Sequence, residues 1–307
     1  MHRAYNTLVR LRELPGKSEG SPAVVTTGVK RLNFLAPPVE TGTRRINIPP
    51  DRVVAYFQSI VSADTNDICA FEALGRVVND DGTVASLGPF FSDRNVSGAE
   101  ALLVDRLVRK YALKKYLEEN ISGFLFLNIN PGWLAADTPR PKITPTIKWV
   151  REYGLEPENI VIEIAEEEFE FGRSHLNLLT DFKNAGFKIA LDDYGKKASN
   201  FNRLAAFRPD IIKIDKSYIH NSETSHYCRE FLRSLASFAE AVGIKVVYEG
   251  VETRRQLDIC LEIKGMYFQG YLFATPQPSM RNAAVNRSVF TESASNAPTA
   301  IIPPRNP

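Results

Sequence analysis

The chain has 307 residues, of which 44% are hydrophobic and 24% charged, and its formal net charge is +2. This is an ordinary globular composition, sufficient for one large core or two small ones. The near-neutral charge gives no signal for nucleic acid or a membrane surface as a partner. The three cysteines show no paired spacing of a zinc site or a disulfide framework, and a reducing, cytoplasmic compartment is the simplest interpretation.

The two ends of the chain differ in composition from its middle. Residues 1–50 contain six prolines and eight basic against three acidic residues, and residues 281–307 are rich in Ser, Asn, Ala and Pro. Composition predicts a flexible N-terminal arm (1–50) and a disordered tail (281–307); the alternative for the arm is docking on a protein partner or an acidic surface. Residues 1–20 lack the unbroken apolar centre of a signal peptide, and no apolar run is long enough to span a membrane.

Residues 51–280 are predicted to form one α/β domain. Apolar runs rich in β-branched residues predict strands at 53–61, 68–71, 124–129, 160–164, 187–191, 211–214, 244–247 and 267–272. Apolar residues at helical spacing predict helices over 99–118, 174–184 and 230–241. This alternation fits a TIM-like (β/α) barrel or a doubly wound sheet. No glycine-rich nucleotide loop follows any strand, so the barrel is favoured.

Polar side chains occur near the end of most of these strands. They are Glu72, Asn128, Glu163, Glu166, Asp192, Asp193, Lys213, Asp215, Glu249, Glu252 and Gln269. In a parallel barrel the carboxyl ends of the strands meet on one rim, and unpaired buried carboxylates are very costly. Oxygen ligands without nearby Cys or His favour Mg²⁺ or Mn²⁺ over zinc. Two such ions about 3.5–4 Å apart suit phosphoester hydrolysis.

Each of these residues also has an ordinary structural explanation. Glu72 could pair with Arg76, Asn128 could be a hydrogen-bonded core amide, and Lys213 could extend its ammonium to solvent. The adjacent Asp192 and Asp193 could cap the next helix. Only their joint occurrence at successive strand ends favours a metal site. The four histidines lie outside this pattern and are predicted to be surface residues.

Seven motifs occur in order between residues 52 and 280: FEALGR, LNINP, EIAE, DDYG, KIDKSYI, YEGVET and FQGYLFATPQP. Together they resemble the EAL domain family of cyclic di-GMP phosphodiesterases, whose name describes the tripeptide found here at 72–74. The resemblance implies a TIM-like barrel that hydrolyses cyclic di-GMP to linear pGpG. It also implies a homodimer and two bound ions, Mg²⁺ or Mn²⁺.

The resemblance further implies a role for each matching residue. The catalytic residues are Glu72, Lys213 and Glu249, with Lys213 orienting the attacking water. The metal ligands are Glu72, Asn128, Glu163, Asp192, Asp193 and Glu249, of which Asp193 serves the second ion. The substrate-binding residues are Gln58, Leu74, Arg76, Asp215 and Gln269; Asp215 also supports Lys213, and Gln269 lies near the catalytic centre. Glu166 and Glu252 support the ligands from behind, and Glu252 anchors the loop after the two aspartates.

One loop departs from the family pattern. The family has DDFGTG, whereas this chain has DDYGKK, with Lys196 and Lys197 in place of Thr and Gly. A lysine in place of glycine loses easy access to positive φ. The two ammonium groups could pair with Glu252 or with a substrate phosphate, or they could repel the second metal ion.

The sequence is compatible with three functions for this protein. An active cyclic di-GMP phosphodiesterase is favoured because every ligand position is filled. The alternative is a catalytically weak or inactive cyclic di-GMP receptor that signals through a protein partner, and the altered loop and the basic arm motivate it. A nucleotide-independent interaction protein is a third reading, against which the intact Gln58, Leu74 and Arg76 argue.

Overall fold

Eight strands close into a barrel in this computed structural model, which describes residues 48–129, 144–166, 173–196, 204, 208–285 and 287–291. The strands of the described residues are β1 (Val53–Ser62), β2 (Asp67–Val78), β3 (Val84–Ser86), β4 (Phe124–Asn128), β5 (Ile160–Ala165), β6 (Lys188–Tyr194), β7 (Ile211–Ile214), β8 (Lys245–Tyr248) and β9 (Tyr267–Phe268), and all of them except β3 belong to the barrel. The order around the barrel is β1-β9-β8-β7-β6-β5-β4-β2, and β2 pairs with β1 to close it. The short β3 pairs with the far end of β2. The expected TIM-like barrel is confirmed.

The first strand runs against the others. β1 is antiparallel to both of its neighbours, β2 and β9, whereas the remaining neighbours around the barrel are parallel. Only residues 63–66 link β1 to β2, and Asn66 takes a left-handed φ of 52°. So short a link allows a hairpin but no parallel crossover. The hairpin sets Gln58 directly opposite Glu72.

The barrel interior is built in layers. Its lower layer is one buried apolar cluster, composed of Ile60, Ala70, Phe126, Val161, Ala190, Ile211 and Val247, with Tyr267 packed against it. Because side chains alternate along a strand, the residue two positions further on points to the same face. On the parallel strands these next residues are Glu72, Asn128, Glu163, Asp192, Lys213, Glu249 and Gln269. The polar strand-end residues therefore lie one layer above an apolar floor.

Helices cover the outside of the barrel. They are α1 (Gly88–Ser92), α2 (Gly98–Glu119), α3 (Pro145–Glu152), α4 (Arg173–Asn184), α5 (Lys216–Ser222), α6 (His226–Val242), α7 (Arg254–Glu262) and α8 (Ser288–Thr291). Their apolar faces and the outer faces of the strands form a second, larger cluster. Since both faces of the strands are covered, β5 is apolar and buried along most of its length. Among the described helices, none is long and apolar enough to cross a membrane.

Part of the segment predicted to be a tail packs against the barrel, through the short helix α8. Val289 in α8 is buried, and its carbonyl oxygen accepts a hydrogen bond of 2.6 Å from Arg254 Nη1. Phe290 stacks on Phe273 with ring centroids 5.7 Å apart. Average composition conceals this anchor because two apolar residues stand in an otherwise polar segment. The predictions for residues 1–47 and 292–307 lie outside the described residues.

Gly270, next to Gln269, lies against the backbone of Val251. A Cβ atom there would clash with the Val251 carbonyl oxygen and amide nitrogen. We expect Gly270→Ala to lower the free energy of unfolding by about 2–3 kcal/mol, because backbone atoms cannot yield as side chains do. Urea unfolding measures this. Gly98→Ala is the control, since a Cβ in the first turn of α2 meets nothing within 4 Å; equal stability of the two variants would contradict the close approach.

Candidate active site

A single buried lysine lies at the centre of the polar layer. The Nζ of Lys213 is 2.7 Å from Glu163 Oε1, 2.7 Å from Glu249 Oε1, 3.0 Å from Glu72 Oε2 and 3.3 Å from Asp192 Oδ1. Only 1% of its side chain is exposed. Burial by itself would lower the pKa of this ammonium, but the four carboxylates raise that pKa well above its ordinary value. The surrounding carboxylates therefore favour the protonated ammonium of Lys213, which can donate hydrogen bonds to them.

Three amide side chains extend the hydrogen-bond network around Glu72, and one of them, Asn128, bridges two carboxylates. Gln269 Nε2 donates to Glu72 Oε2 at 2.6 Å and to Gln58 Oε1 at 3.2 Å. Asn128 Nδ2 donates to Glu72 Oε1 at 3.2 Å and to Glu163 Oε2 at 3.1 Å. These contacts bring together residues from β1, β2, β4, β5 and the end of β9. The amide nitrogen of Asn128 is thereby committed to carboxylates, so only its oxygen could bind a cation.

The pKa values of the four carboxylates around Lys213 are shifted in different directions. Burial opposes ionisation of Glu72, but the charge of Lys213 and the donated hydrogen bonds outweigh it and lower the pKa of Glu72. Burial, helped by the neighbouring negative charges, raises the pKa of Asp192 and raises those of Glu163 and Glu249 well above their usual range. One lysine thus cannot neutralise the whole cluster.

A bulge in β6 turns two consecutive aspartates towards the same side. The register between β6 and β7 shifts between Leu191 and Tyr194, and Asp193 has a left-handed φ of 54°. In a regular strand adjacent side chains would point to opposite faces. Here Asp192, Asp193 and Glu249 each offer an oxygen within 4.8 Å of the others. The predicted ligands Asp192 and Asp193 therefore converge.

This donor set fits a hard divalent cation. Glu163 Oε1 and Asp192 Oδ1 are buried and accept no hydrogen bond of good geometry from the described residues, although Lys213 lies near both. The converging groups are all oxygen donors with excess negative charge. Mg²⁺, Mn²⁺ and Ca²⁺ prefer such ligands, whereas zinc sites use nitrogen and sulfur as well.

A cavity of about 310 Å³ opens beside the acidic cluster. Asn128, Asp192 and Asp193 line one part of it, and Leu74 and Arg76 line another. The Arg76 guanidinium lies 5.7 Å from the centroid of the Tyr56 ring, and burial lowers its pKa. An acidic metal-type site and a guanidinium thus face one cavity, which is an arrangement suited to a phosphate bridging cation and arginine.

The supporting residues have different surroundings from one another. Glu166 Oε2 accepts a hydrogen bond of 3.2 Å from the amide of Gly195, so it holds the turn after the two aspartates. Glu252 Oε1 lies 3.9 Å from His220 Nε2, and its predicted anchoring of that loop involves residues outside the described part of the chain. Asp215 accepts a hydrogen bond of 2.9 Å from the amide of Ser217 and caps α5. Its substrate role stays a prediction.

Sequence reasoning missed a buried ion pair behind the site. Arg109 on α2 pairs with Asp105 one turn earlier, and 5% and 7% of these residues are exposed. Arg109 Nη1 also donates to the backbone oxygen of Asn128 at 3.1 Å, and its Nε donates to Thr146 Oγ1 at 3.1 Å. Burial raises the pKa of Asp105 despite this partner. The sequence did contain one signal for this pair: Asp105 and Arg109 are opposite charges four residues apart on the face of α2 that is otherwise apolar and buried.

Arg109 therefore ties together α2, the end of β4 and the start of α3. Asn128 is the last residue of β4 and a predicted ligand. Its backbone is fixed by Arg109 and its side chain by two carboxylates. Such outer contacts orient the groups that bind a metal.

Comparison with known proteins agrees with this geometry. The family model described as the EAL domain matches residues 44–276. The EAL-domain containing protein YkuI of Bacillus subtilis is 33% identical over 227 residues, which cover 74% of this chain and 55% of that protein. The cyclic di-GMP phosphodiesterase NbdA of Pseudomonas aeruginosa is 27% identical over 234 residues, covering 74% of this chain and 29% of that protein. The chain thus spans about half the length of these relatives, or less.

Two solved structures share the fold. The crystal structure of Bacillus subtilis YkuI with the substrate cyclic di-GMP and calcium superposes with a TM-score of 0.70 at 30% identity, covering 79% of this chain and 60% of that one. Klebsiella pneumoniae BlrP1 with manganese and cyclic di-GMP gives a TM-score of 0.64 at 25% identity, covering 76% and 62%. The family model covers most of the chain, and the fold and the strand-end motifs agree with it. The chain belongs to the EAL domain family.

Proposed function

We propose that this protein hydrolyses cyclic di-GMP to linear pGpG with the help of two divalent cations, Mg²⁺ or Mn²⁺. The observation that carries the proposal is the buried Lys213 among four carboxylates, next to the converging oxygens of Asp192, Asp193 and Glu249. Family members named as cyclic di-GMP phosphodiesterases, and relatives solved with cyclic di-GMP and calcium or manganese, support it.

The residues that would hold the ions are those of the polar layer. For the first ion they are Glu72, Asn128, Glu163, Asp192 and Glu249, and Asp193 would serve the second. Bound there, divalent ions supply Lewis-acid activation of water and stabilisation of charge on the phosphate and its leaving oxygen. These residues lie on or directly after β2, β4, β5, β6 and β8, and β7 with Lys213 lies between β6 and β8. Because they sit on the strands of one barrel, the fold itself sets their positions.

The side chains themselves contribute orientation and charge. As an ammonium, Lys213 would hold the carboxylates together and donate a hydrogen bond that orients the attacking water. Its fixed positive charge also stabilises negative charge that develops at phosphorus, because a buried ammonium needs no reorganisation. Gln269 helps to hold Glu72 in place by donating to it, and Gln58 accepts a second hydrogen bond from the same amide nitrogen. Arg76 would pair with a phosphate oxygen through its guanidinium.

A second candidate is a receptor that binds cyclic di-GMP and turns it over slowly or not at all. The contact that favours it is between Lys196 and the predicted second-ion ligand Asp193. Output would then pass to a protein partner, for which the basic arm is the predicted docking segment. Tight binding without formation of pGpG in the presence of Mg²⁺ and Mn²⁺ would select this candidate.

The negative charge of Glu72 tests the assignment of the metal ligands. We expect Glu72→Gln to reduce the rate of hydrolysis by about 1,000-fold or more, since it removes a buried anion from the metal ligands while keeping the shape. Chromatography of pGpG with Mg²⁺ or Mn²⁺ measures this. Glu152→Gln on α3 is the control, because that glutamate pairs with Lys148 at the surface. Turnover near that of the unchanged protein in Glu72→Gln would refute the ligand assignment.

Arg109 can be tested as a residue that positions Asn128. Removing the arginine alone would leave Asp105 buried and unpaired, so the test uses the double variant Asp105→Leu with Arg109→Met, which removes both charges. We expect the Mn²⁺ concentration for half-maximal activity to rise about tenfold, as is typical when the contacts behind a metal ligand are lost. Titration of activity with Mn²⁺ measures it.

The chain offers a matched control for this variant. Arg254 on α7 also pairs with an aspartate one turn away, Asp258 at 2.7 Å, and donates to a backbone oxygen. The double variant Asp258→Leu with Arg254→Met should leave the Mn²⁺ requirement unchanged. An equal shift in both double variants, or in neither, would mean that Arg109 has no special relation to the site.

A further inference from the structure

A lysine from the altered loop contacts the outermost predicted metal ligand. The Nζ of Lys196 lies 2.8 Å from Asp193 Oδ2. The backbone amide of Lys196 also donates to the carbonyl oxygen of Asp193 at 3.2 Å, which closes a tight turn. Asp193 and Gly195 both have positive φ in this turn, 54° and 98°. The ammonium therefore approaches the carboxylate from a short, closed segment of chain.

The turn itself is fastened to the barrel. Glu166, which is 5% exposed, accepts the hydrogen bond from the amide of Gly195. The turn that follows the bulge of β6 is thus held against the end of β5. Lys196 keeps 49% of its side chain exposed, and Asp193 keeps 30% exposed. The pair lies at the open edge of the site, whereas Lys213 serves the buried carboxylates.

Charge counting shows what this second ammonium changes. The five carboxylates of the site, when ionised, carry five negative charges; they are Glu72, Glu163, Asp192, Asp193 and Glu249. Lys213 reduces the excess to four, which two divalent cations would balance. Lys196 reduces it to three. One divalent cation then leaves one negative charge, and a second leaves one positive charge.

We propose that Lys196 is a tethered cation that competes with the second divalent ion for Asp193. The proposal rests on the metal site of the proposed function and concerns how readily the second ion binds there. The chain holds its first ion through the buried carboxylates and takes up its second ion only when the ammonium leaves Asp193. A unit charge about 5 Å from a divalent ion in a water-like medium weakens binding on the order of tenfold. Salt reduces this effect because the pair is exposed.

The occupancy of the site by Mn²⁺ alone provides a test that does not depend on catalysis. Electron paramagnetic resonance of free Mn²⁺ follows titration of the full chain. Three variants separate charge from shape: Lys196→Gln and Lys196→Thr remove the charge, and Lys196→Arg keeps it. Lys148→Thr is the matched control, because Lys148 forms an exposed pair with Glu152 at 3.5 Å on α3.

We expect all five proteins to bind a first Mn²⁺ alike. Lys196→Gln and Lys196→Thr should bind a second Mn²⁺ about tenfold more tightly than the unchanged chain, and this gain should shrink as salt is raised. Lys196→Arg and Lys148→Thr should match the unchanged chain. Superimposable second-ion isotherms for Lys196→Gln and the unchanged chain would overturn the proposal.

The same proteins distinguish failure of this proposal from failure of the proposed function. If the isotherms differ as expected but no protein forms pGpG, hydrolysis is rejected and the competition stands. If the unchanged chain forms pGpG and its isotherm matches that of Lys196→Gln, the competition is rejected and hydrolysis stands. Absence of any bound Mn²⁺ in the unchanged chain overturns both.

Discussion

The site depends on one ion-pair cluster, the ammonium of Lys213 among the carboxylates of Glu72, Glu163, Asp192 and Glu249. Neither partner would be stable alone inside the barrel, because an isolated buried charge costs several kcal/mol after relaxation. When all four carboxylates are ionised, one lysine leaves three negative charges, and such an excess favours a divalent cation as counter-ion. The same charge imbalance lowers the contribution of the cluster to stability and underlies its proposed role as a metal site.

The barrel makes this cluster feasible by placing polar and apolar side chains in separate layers. Every parallel strand of the barrel has an apolar or aromatic residue in the lower layer and a polar one two positions later, as with Val161 and Glu163. In the antiparallel β1 the order is reversed: Gln58 lies in the polar layer, and Ile60, two positions later, lies in the apolar layer. Two local departures complete the site: the hairpin that aligns Gln58 with Glu72, and the bulge that turns Asp193 beside Asp192.

Much of this could be predicted from sequence because period-two alternation and β-branched runs are local signals. The eight barrel strands and their polar ends follow from them. The direction of β1 does not, because an apolar run has the same pattern in either direction; only the short link after it carries the information. The bulge at Asp193 also escapes prediction, since it is a backbone distortion at a non-glycine residue.

Other features escaped because they depend on contacts between distant segments. Arg109 resembles any charged residue of a helix until α3 and β4 are packed against it. Val289 in the tail becomes an anchor only when Arg254 is beside it. The sequence predicts Lys196 near the site. It does not predict that Lys196 pairs with Asp193, rather than with Glu252 or a substrate phosphate, because that pairing depends on the geometry of the turn.

In the proposed function, Lys213 provides charge and orientation for hydrolysis while the surrounding carboxylates bind the ions. The most direct test of this assignment is a single-turnover measurement of pGpG release at saturating Mn²⁺, made with the unchanged chain and with Lys213→Met, alongside Mn²⁺ binding. We expect the variant to bind Mn²⁺ at least as tightly, because a repelling charge is gone, and to release pGpG about 1,000-fold more slowly or worse. Release within a few-fold of the unchanged chain, or absence of pGpG from the unchanged chain, would contradict it.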